Sequence, residues 1–188
     1  MKKLAIFGSG AGGNAENICN YFTSSSDIEV VCICTNNKTA FIVARAEKLN
    51  IPIIYTTKDD LSSFSVLQKT LQEHRVDYII LAGFLLKVPL KMVESYPKRI
   101  INLHPSLLPK YGGLGMYGIN VYKAVLKNKE IKSGITIHFV NENYDSGRVI
   151  LQKTCPISPF ETVESLEAKV RSLEFEYFPK TIEKIILT

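Results

Sequence analysis

Near its N-terminus the chain reads Lys3-Leu4-Ala5-Ile6-Phe7-Gly8-Ser9-Gly10-Ala11-Gly12-Gly13-Asn14. The short apolar run Lys3–Phe7 ends on glycine, which reads as a buried strand. The residues that follow, Asn14–Phe22, carry apolar side chains at three-to-four spacing and read as a helix. A glycine loop between strand and helix lets several backbone N–H groups converge, and the positive end of the helix dipole adds to them. An anion, most naturally a phosphate, suits such a loop; the bland alternative is a tight turn that binds nothing. Gly8, Gly10 and Gly13 also fit G-x-G-x-x-G, but a dinucleotide fold expects an acidic residue ~20 residues further on, at the end of the second strand. Here that strand ends Cys34-Thr35-Asn36-Asn37, so a nicotinamide dinucleotide is the weaker reading.

The alternation continues outward from this unit. Glu29–Cys34, Pro52–Tyr55, Asp77–Ala82 and Arg99–His104 read as further strands, with helices at Ala40–Leu49 and Leu61–His74 between them. Strands separated by helices imply βαβ units and a parallel sheet. After Pro105 the texture changes. Ser106–Gly118 is rich in glycine and reads as a long loop, of the kind that is usually functional. A helix at Ile119–Leu126, strands at Ser133–Val140 and Arg148–Pro156, and a last helix beginning near Thr162 complete the chain. The expected architecture is an α/β, single-domain, Rossmann-like open sheet, mostly parallel and flanked by helices, spanning residues 1–188.

The totals agree. One core can serve 188 residues, and 46% hydrophobic with 22% charged is ordinary globular composition. The net charge of +5 comes from scattered lysines without a basic run, which argues for small anionic substrates and against nucleic acid. Cys19, Cys32, Cys34 and Cys155 form no C-x-x-C pair and no zinc spacing, so they read as reduced, packed thiols. The N-terminus lacks the apolar core of a signal peptide. The longest apolar run, Tyr78–Leu86, is about half the ~20 residues a membrane helix needs. The expectation is a cytoplasmic protein without a membrane segment, monomeric or homodimeric.

Strand alternation in Arg99-Ile100-Ile101-Asn102-Leu103-His104-Pro105 places Asn102 and His104 on one face, at the carboxyl end of the fifth strand. Open parallel sheets bind their ligands there. An amide donor beside an imidazole can hold the oxyanion that forms when an amine attacks a carbonyl, and the imidazole can handle a proton near neutral pH. Asp145, in the turn-rich link Asn141–Gly147, is a carboxylate able to tune that histidine or relay a proton, although an Asx-turn role is its simplest reading. His74 reads as a solvated helix cap, and His138, on the polar face of its strand, faces either solvent or the site.

The run Asn102-Leu103-His104-Pro105-Ser106-Leu107-Leu108-Pro109-Lys110-Tyr111-Gly112-Gly113 resembles the folate-dependent formyltransferases. So do the glycine loop Ser9–Asn14, Leu81-Ala82-Gly83-Phe84, and Ser133-Gly134 with His138-Phe139-Val140 and Asp145-Ser146-Gly147, so the resemblance spans nearly the whole chain. Within that family it is similar to the branch that formylates glycinamide ribonucleotide in purine biosynthesis. The resemblance implies a formyl donor, 10-formyltetrahydrofolate, no metal, and a catalytic trio at Asn102, His104 and Asp145. It puts the substrate phosphate on Gly10, Ala11, Gly12, Gly13 and Asn14, and the ribose on Glu174. The folate is implied to lie against Phe84, Leu85, Leu86, Lys87 and Val88 on one side and Val140, Asn141, Glu142, Asn143 and Tyr144 on the other.

Four positions depart from the family pattern: Leu85-Leu86 where many members have Met-Arg, Gly13 where serine is common, and Tyr122 where many have histidine. The implied chemistry has Asn102 and a protonated His104 holding the oxyanion while Asp145 helps move the amine proton to the leaving folate nitrogen. The related tRNA formyltransferases and formyl-folate hydrolases carry additional domains, for which this length leaves no room. An amino-sugar nucleotide is the rival acceptor, and a nucleotide-binding regulatory module is the rival class.

Overall fold

The computed structural model describes all residues, Met1–Thr188. Seven strands, β1 (Lys2–Phe7), β2 (Ile28–Thr35), β3 (Ile53–Tyr55), β4 (Tyr78–Leu81), β5 (Ile100–His104), β6 (Lys132–Phe139) and β7 (Val149–Pro156), form one sheet in the order β3-β2-β1-β4-β5-β6-β7. The first five are parallel, and β6 and β7 extend the sheet antiparallel beyond β5. Winding reverses between β1 and β4, so the crevice of a doubly wound sheet opens at their carboxyl ends.

Helices cover the sheet unevenly. On one face lie α1 (Gly13–Phe22), α2 (Phe41–Lys48), α6 (Ile119–Lys127) and α7 (Val163–Leu187), packed with Leu4, Ile6, Ile80, Ile101, Leu103, Ile135 and Ile137. On the other lie α3 (Lys58–Ser63), α4 (Ser65–Glu73) and α5 (Leu90–Ser95), packed with Ala5, Phe7, Ile79, Leu81 and Ile100. Successive strand residues therefore feed opposite cores. Each large aliphatic side chain so buried contributes roughly 1.5–3 kcal/mol. Beyond Ile100 the second face of β5 and β6 carries Asn102, His104, Thr136 and His138.

Two details differ from the sequence expectation. Leu61–His74 is not one helix: Thr57 caps α3 through Asp60, and Phe64 then turns left-handed, with φ 59°, before α4 begins. The apolar spacing Leu61, Phe64, Leu67, Leu71 runs through the break, because all four still point into one core, and so conceals it. The six-residue α5 was not expected, since a single turn and a half is too short to register as a period. All four cysteines are free and buried. No helix is long and apolar enough to cross a membrane.

Candidate active site

The antiparallel pairing of β5 with β6 sets Asn102 opposite His138 and His104 opposite Thr136. Residues directly opposite share a face, so four polar side chains meet. A register shift between Ile137 and His138 in the pairing with β7 marks a bulge, a common device for aiming a side chain beside a site. The link between β6 and β7 folds back over this face. It brings Asp145, itself left-handed with φ 51°, onto the cluster.

Asp145 is the hub. Its Oδ2 lies 3.5 Å from His104 Nδ1 and accepts the Gly113 N–H at 2.9 Å. Its Oδ1 accepts from Asn102 Nδ2 at 3.3 Å and lies 3.7 Å from His138 Nε2. Burial alone would raise the Asp145 carboxyl, but the His138 and His104 rings, when protonated, and the Gly113 amide together hold it below the usual carboxylate range. For His104, 4% exposed, burial wins over the attraction of Asp145 and holds the imidazole below its ordinary value. The resting His104 is thus biased toward the neutral form.

Backbone carbonyls fix both tautomers, because a carbonyl can only accept. His104 Nε2 donates to Tyr111 O at 2.7 Å, leaving Nδ1 to face Asp145. The segment leading to Tyr111 is tied down by a second layer of contacts. Thr136 Oγ1 donates to Ser106 O at 2.6 Å and accepts the Leu108 N–H at 3.0 Å, and Gln152 Nε2 donates to Leu108 O at 2.8 Å. Ser106 in turn donates to Lys110 O at 2.7 Å, so the first turn of the expected long loop is anchored while Gly113–Gly118 lies open.

From this polar end a cleft runs outward between two segments. Phe84, Leu86, Val88 and Val140 supply apolar walls, and Lys87, Asn141, Glu142, Asn143 and Tyr144 line its mouth. Leu85 is outside it: the side chain is 47% exposed, and its backbone N–H donates to Ser9 Oγ. A larger, open hollow of about 540 Å³ lies at the amino ends of β1–β3, among Lys3, Glu29, Asn50, His74 and Arg75. Its lining is of mixed sign with no residue buried, so the smaller cleft is the better site. His74 caps α4 there, far from the other histidines.

Beside the cleft, the glycine loop closes α1. Gly12 takes φ 75°, a left-handed conformation natural to glycine, and a Cβ there would sit 2.7 Å from Ile42. The N–H groups of residues 10–15 have no acceptor within the protein, as an anion seat requires. Because α7 packs on α1, Glu174 reaches Asn14, whose Nδ2 donates to Glu174 Oε2 at 2.8 Å. Burial pushes the Glu174 carboxyl up, and the Asn14 bond offsets this only in part. Asn14 Oδ1 is buried without a partner, an acceptor waiting for a donor. Tyr122 is buried nearby; burial and the Glu174 charge hold its hydroxyl protonated. At Gly13 a Cβ would lie 2.8 Å from Arg171 Nη2, so in this chain a guanidinium occupies the space a serine side chain would need.

The structure thus brings Asn102, His104 and Asp145 together, and Gly10–Asn14 with Glu174. It adds His138, 1% exposed, to the first group. Its place on the polar side of the β6 alternation and in the run His138-Phe139-Val140 of the family resemblance were the signals for it.

Fold and site together define a doubly wound α/β protein with an amide, two imidazoles and a carboxylate gathered at the edge of its crevice. The formyl transferase family model matches residues 2–182, and the chain belongs to that family. Among its relatives, a phosphoribosylglycinamide formyltransferase from Haemophilus influenzae is 34% identical over 97% of this chain and 86% of its own length. The chloroplastic phosphoribosylglycinamide formyltransferase of Arabidopsis thaliana is 39% identical over 98% of this chain, which spans 65% of the plant protein. The crystal structure of phosphoribosylglycinamide formyltransferase from Anaplasma phagocytophilum superposes with a TM-score of 0.89 at 30% identity, covering 99% of this chain and 87% of that one.

Proposed function

We propose that the chain, acting as one catalytic domain over residues 1–188, transfers a formyl group from 10-formyltetrahydrofolate to the amine of glycinamide ribonucleotide. The observation that carries this is the Asn102–His104–Asp145 cluster joining an apolar cleft to an anion-binding loop. The cleft suits a flat heteroaromatic ring, with Phe84, Leu86, Val88 and Val140 as its walls. Gly10–Asn14 receives the phosphate, and Asn14 and Glu174 take the ribose hydroxyls. Both partners are small molecules available in the cytoplasm.

The neutral His104 enters as a base. As the glycyl nitrogen adds to the formyl carbon, Nδ1 takes its proton, and the resulting imidazolium lies against Asp145. Asn102 donates to the oxygen that becomes negative. His104 then delivers the proton to the departing folate nitrogen as its bond to carbon breaks, leaving formylated amine and free tetrahydrofolate.

Single-turnover transfer from 10-formyl-5,8-dideazafolate tests the assignment. Glycinamide ribonucleotide should be formylated rapidly, and an amino-sugar nucleotide or water should not; transfer to either of those would overturn the acceptor. Replacing Asn102 with alanine should lower turnover by about 10²–10³, the usual loss for one oxyanion donor, and replacing His104, or the Asp145 that supports its imidazolium, should lower it by about 10²–10⁴, the range for a general base.

A further inference from the structure

Asn102 has two amide hydrogens, and in the resting protein both point inward. One meets His138 Nε2 at 3.0 Å and the other Asp145 Oδ1 at 3.3 Å. His138 can accept because its proton is committed elsewhere: Nδ1 lies 2.9 Å from Phe139 O, and a carbonyl holds that hydrogen on Nδ1. Reversing the amide would set Asn102 Oδ1 against the bare Nε2 and the Asp145 carboxylate, two acceptor–acceptor contacts.

We infer that His138 is a positioning residue, which through the chain Phe139 O, Nδ1–H, Nε2, Asn102 Nδ2 fixes the orientation of the Asn102 amide and so presents an N–H to the formyl oxygen. The two inward bonds then have separate duties. The shorter, to His138, persists through the reaction. The longer, to Asp145, is the one the formyl oxygen replaces as its charge grows, while Asp145 turns its attraction to the His104 imidazolium. The burial of His138 and the bulge at Ile137/His138 serve the same end, keeping the ring unable to rotate.

This rests on the formyl-transfer reading, and two arms separate them. In the first, kinetics compare wild type with His138→Gln, whose carbonyl can accept where Nε2 does, and His138→Met, which has similar bulk and no comparable acceptor. His138→Met should lose about tenfold or more in kcat, with KM for both substrates within about threefold and the melting temperature near wild type. His138→Gln should recover most of that loss. Equal losses in the two variants, or a change confined to KM, would overturn the positioning role, whereas a wild type without formyl transfer would overturn the function instead. In the second arm, which needs no activity, ¹⁵N NMR of the imidazoles should find neutral His138 with its proton on Nδ1. A proton on Nε2 would overturn the proposal.

Discussion

At the scale of single residues, the site spends stability on readiness. Glu174 is a carboxylate kept in poor solvent, with a proton affinity raised by burial from the ordinary 4.5. In the fold it binds its proton more tightly than in the unfolded chain, so its contribution is most favourable at low pH and is lost as pH rises through the raised value. Glu174→Gln should therefore melt like wild type near pH 4 and higher than wild type at pH 8. The same change should raise KM for the acceptor by about tenfold or more, since a bond to a charged group is worth roughly 1.5–3 kcal/mol. Melting curves and initial rates on one preparation check both.

His104 has the opposite sign of linkage. Its fold value is depressed below 6.5, so the unfolded chain binds more protons and stability declines as pH falls below 6.5. His104→Asn should flatten that decline in urea midpoints measured from pH 7.5 to 5; an unchanged slope would assign it to other groups. Asn102 and His104 were legible in the sequence because strand alternation sets them on one face, whereas the turn around Asp145 reads most simply as structural and only the family resemblance joined it to them. His138 was only half legible, because alternation supplies a face but the antiparallel register that makes it the neighbour of Asn102 is a tertiary fact.

At the scale of elements, the turn joining β6 to β7 has a single tight point. A Cβ on Gly147 would stand 1.7 Å from Phe139 O, the same carbonyl that holds His138 Nδ1. Gly147→Ala must push that carbonyl away, so it should lower the melting temperature by several degrees, at roughly 2–4 °C per kcal/mol, and reduce kcat as well. A variant with normal kcat would detach the turn from the chemistry. Thr136→Val removes the hydroxyl that ties the loop after β5 and should cost about 1–3 kcal/mol for the groups left unpaired. Strand positions were readable because each short apolar run feeds two cores. The α3–α4 break was not, since Phe64 keeps the apolar spacing while reversing its backbone, and α5 is shorter than any period can reveal.

At the scale of the whole molecule, the polar face that β5 and β6 present beyond Ile100 is furnished with further groups by two loops. A ligand bound there and on the glycine loop, as proposed, would link distant parts of the sheet. Glycinamide ribonucleotide at about 100 times its Kd should add about 2.7 kcal/mol of stability. For a chain of this size that is roughly 5–10 °C in a melting scan. An Asn14→Asp, Glu174→Ala double variant should show almost none of it.

The proposed acceptor seat joins Asn14 to Glu174, partners 160 positions apart. During synthesis the ribosome releases the first long before the second, and the formyl-handling cluster, complete at Asp145, emerges in between. On the proposed reading a growing chain carries Asn102, His104 and Asp145 before Glu174, and the acceptor would be captured only once α7 docks. Nascent chains paused before and after residue 174, released and assayed for ligand-dependent protease resistance, should switch between those two lengths. On the proposed reading the last helix would act as the molecule's own quality check, since a product cut short of it would lack Glu174.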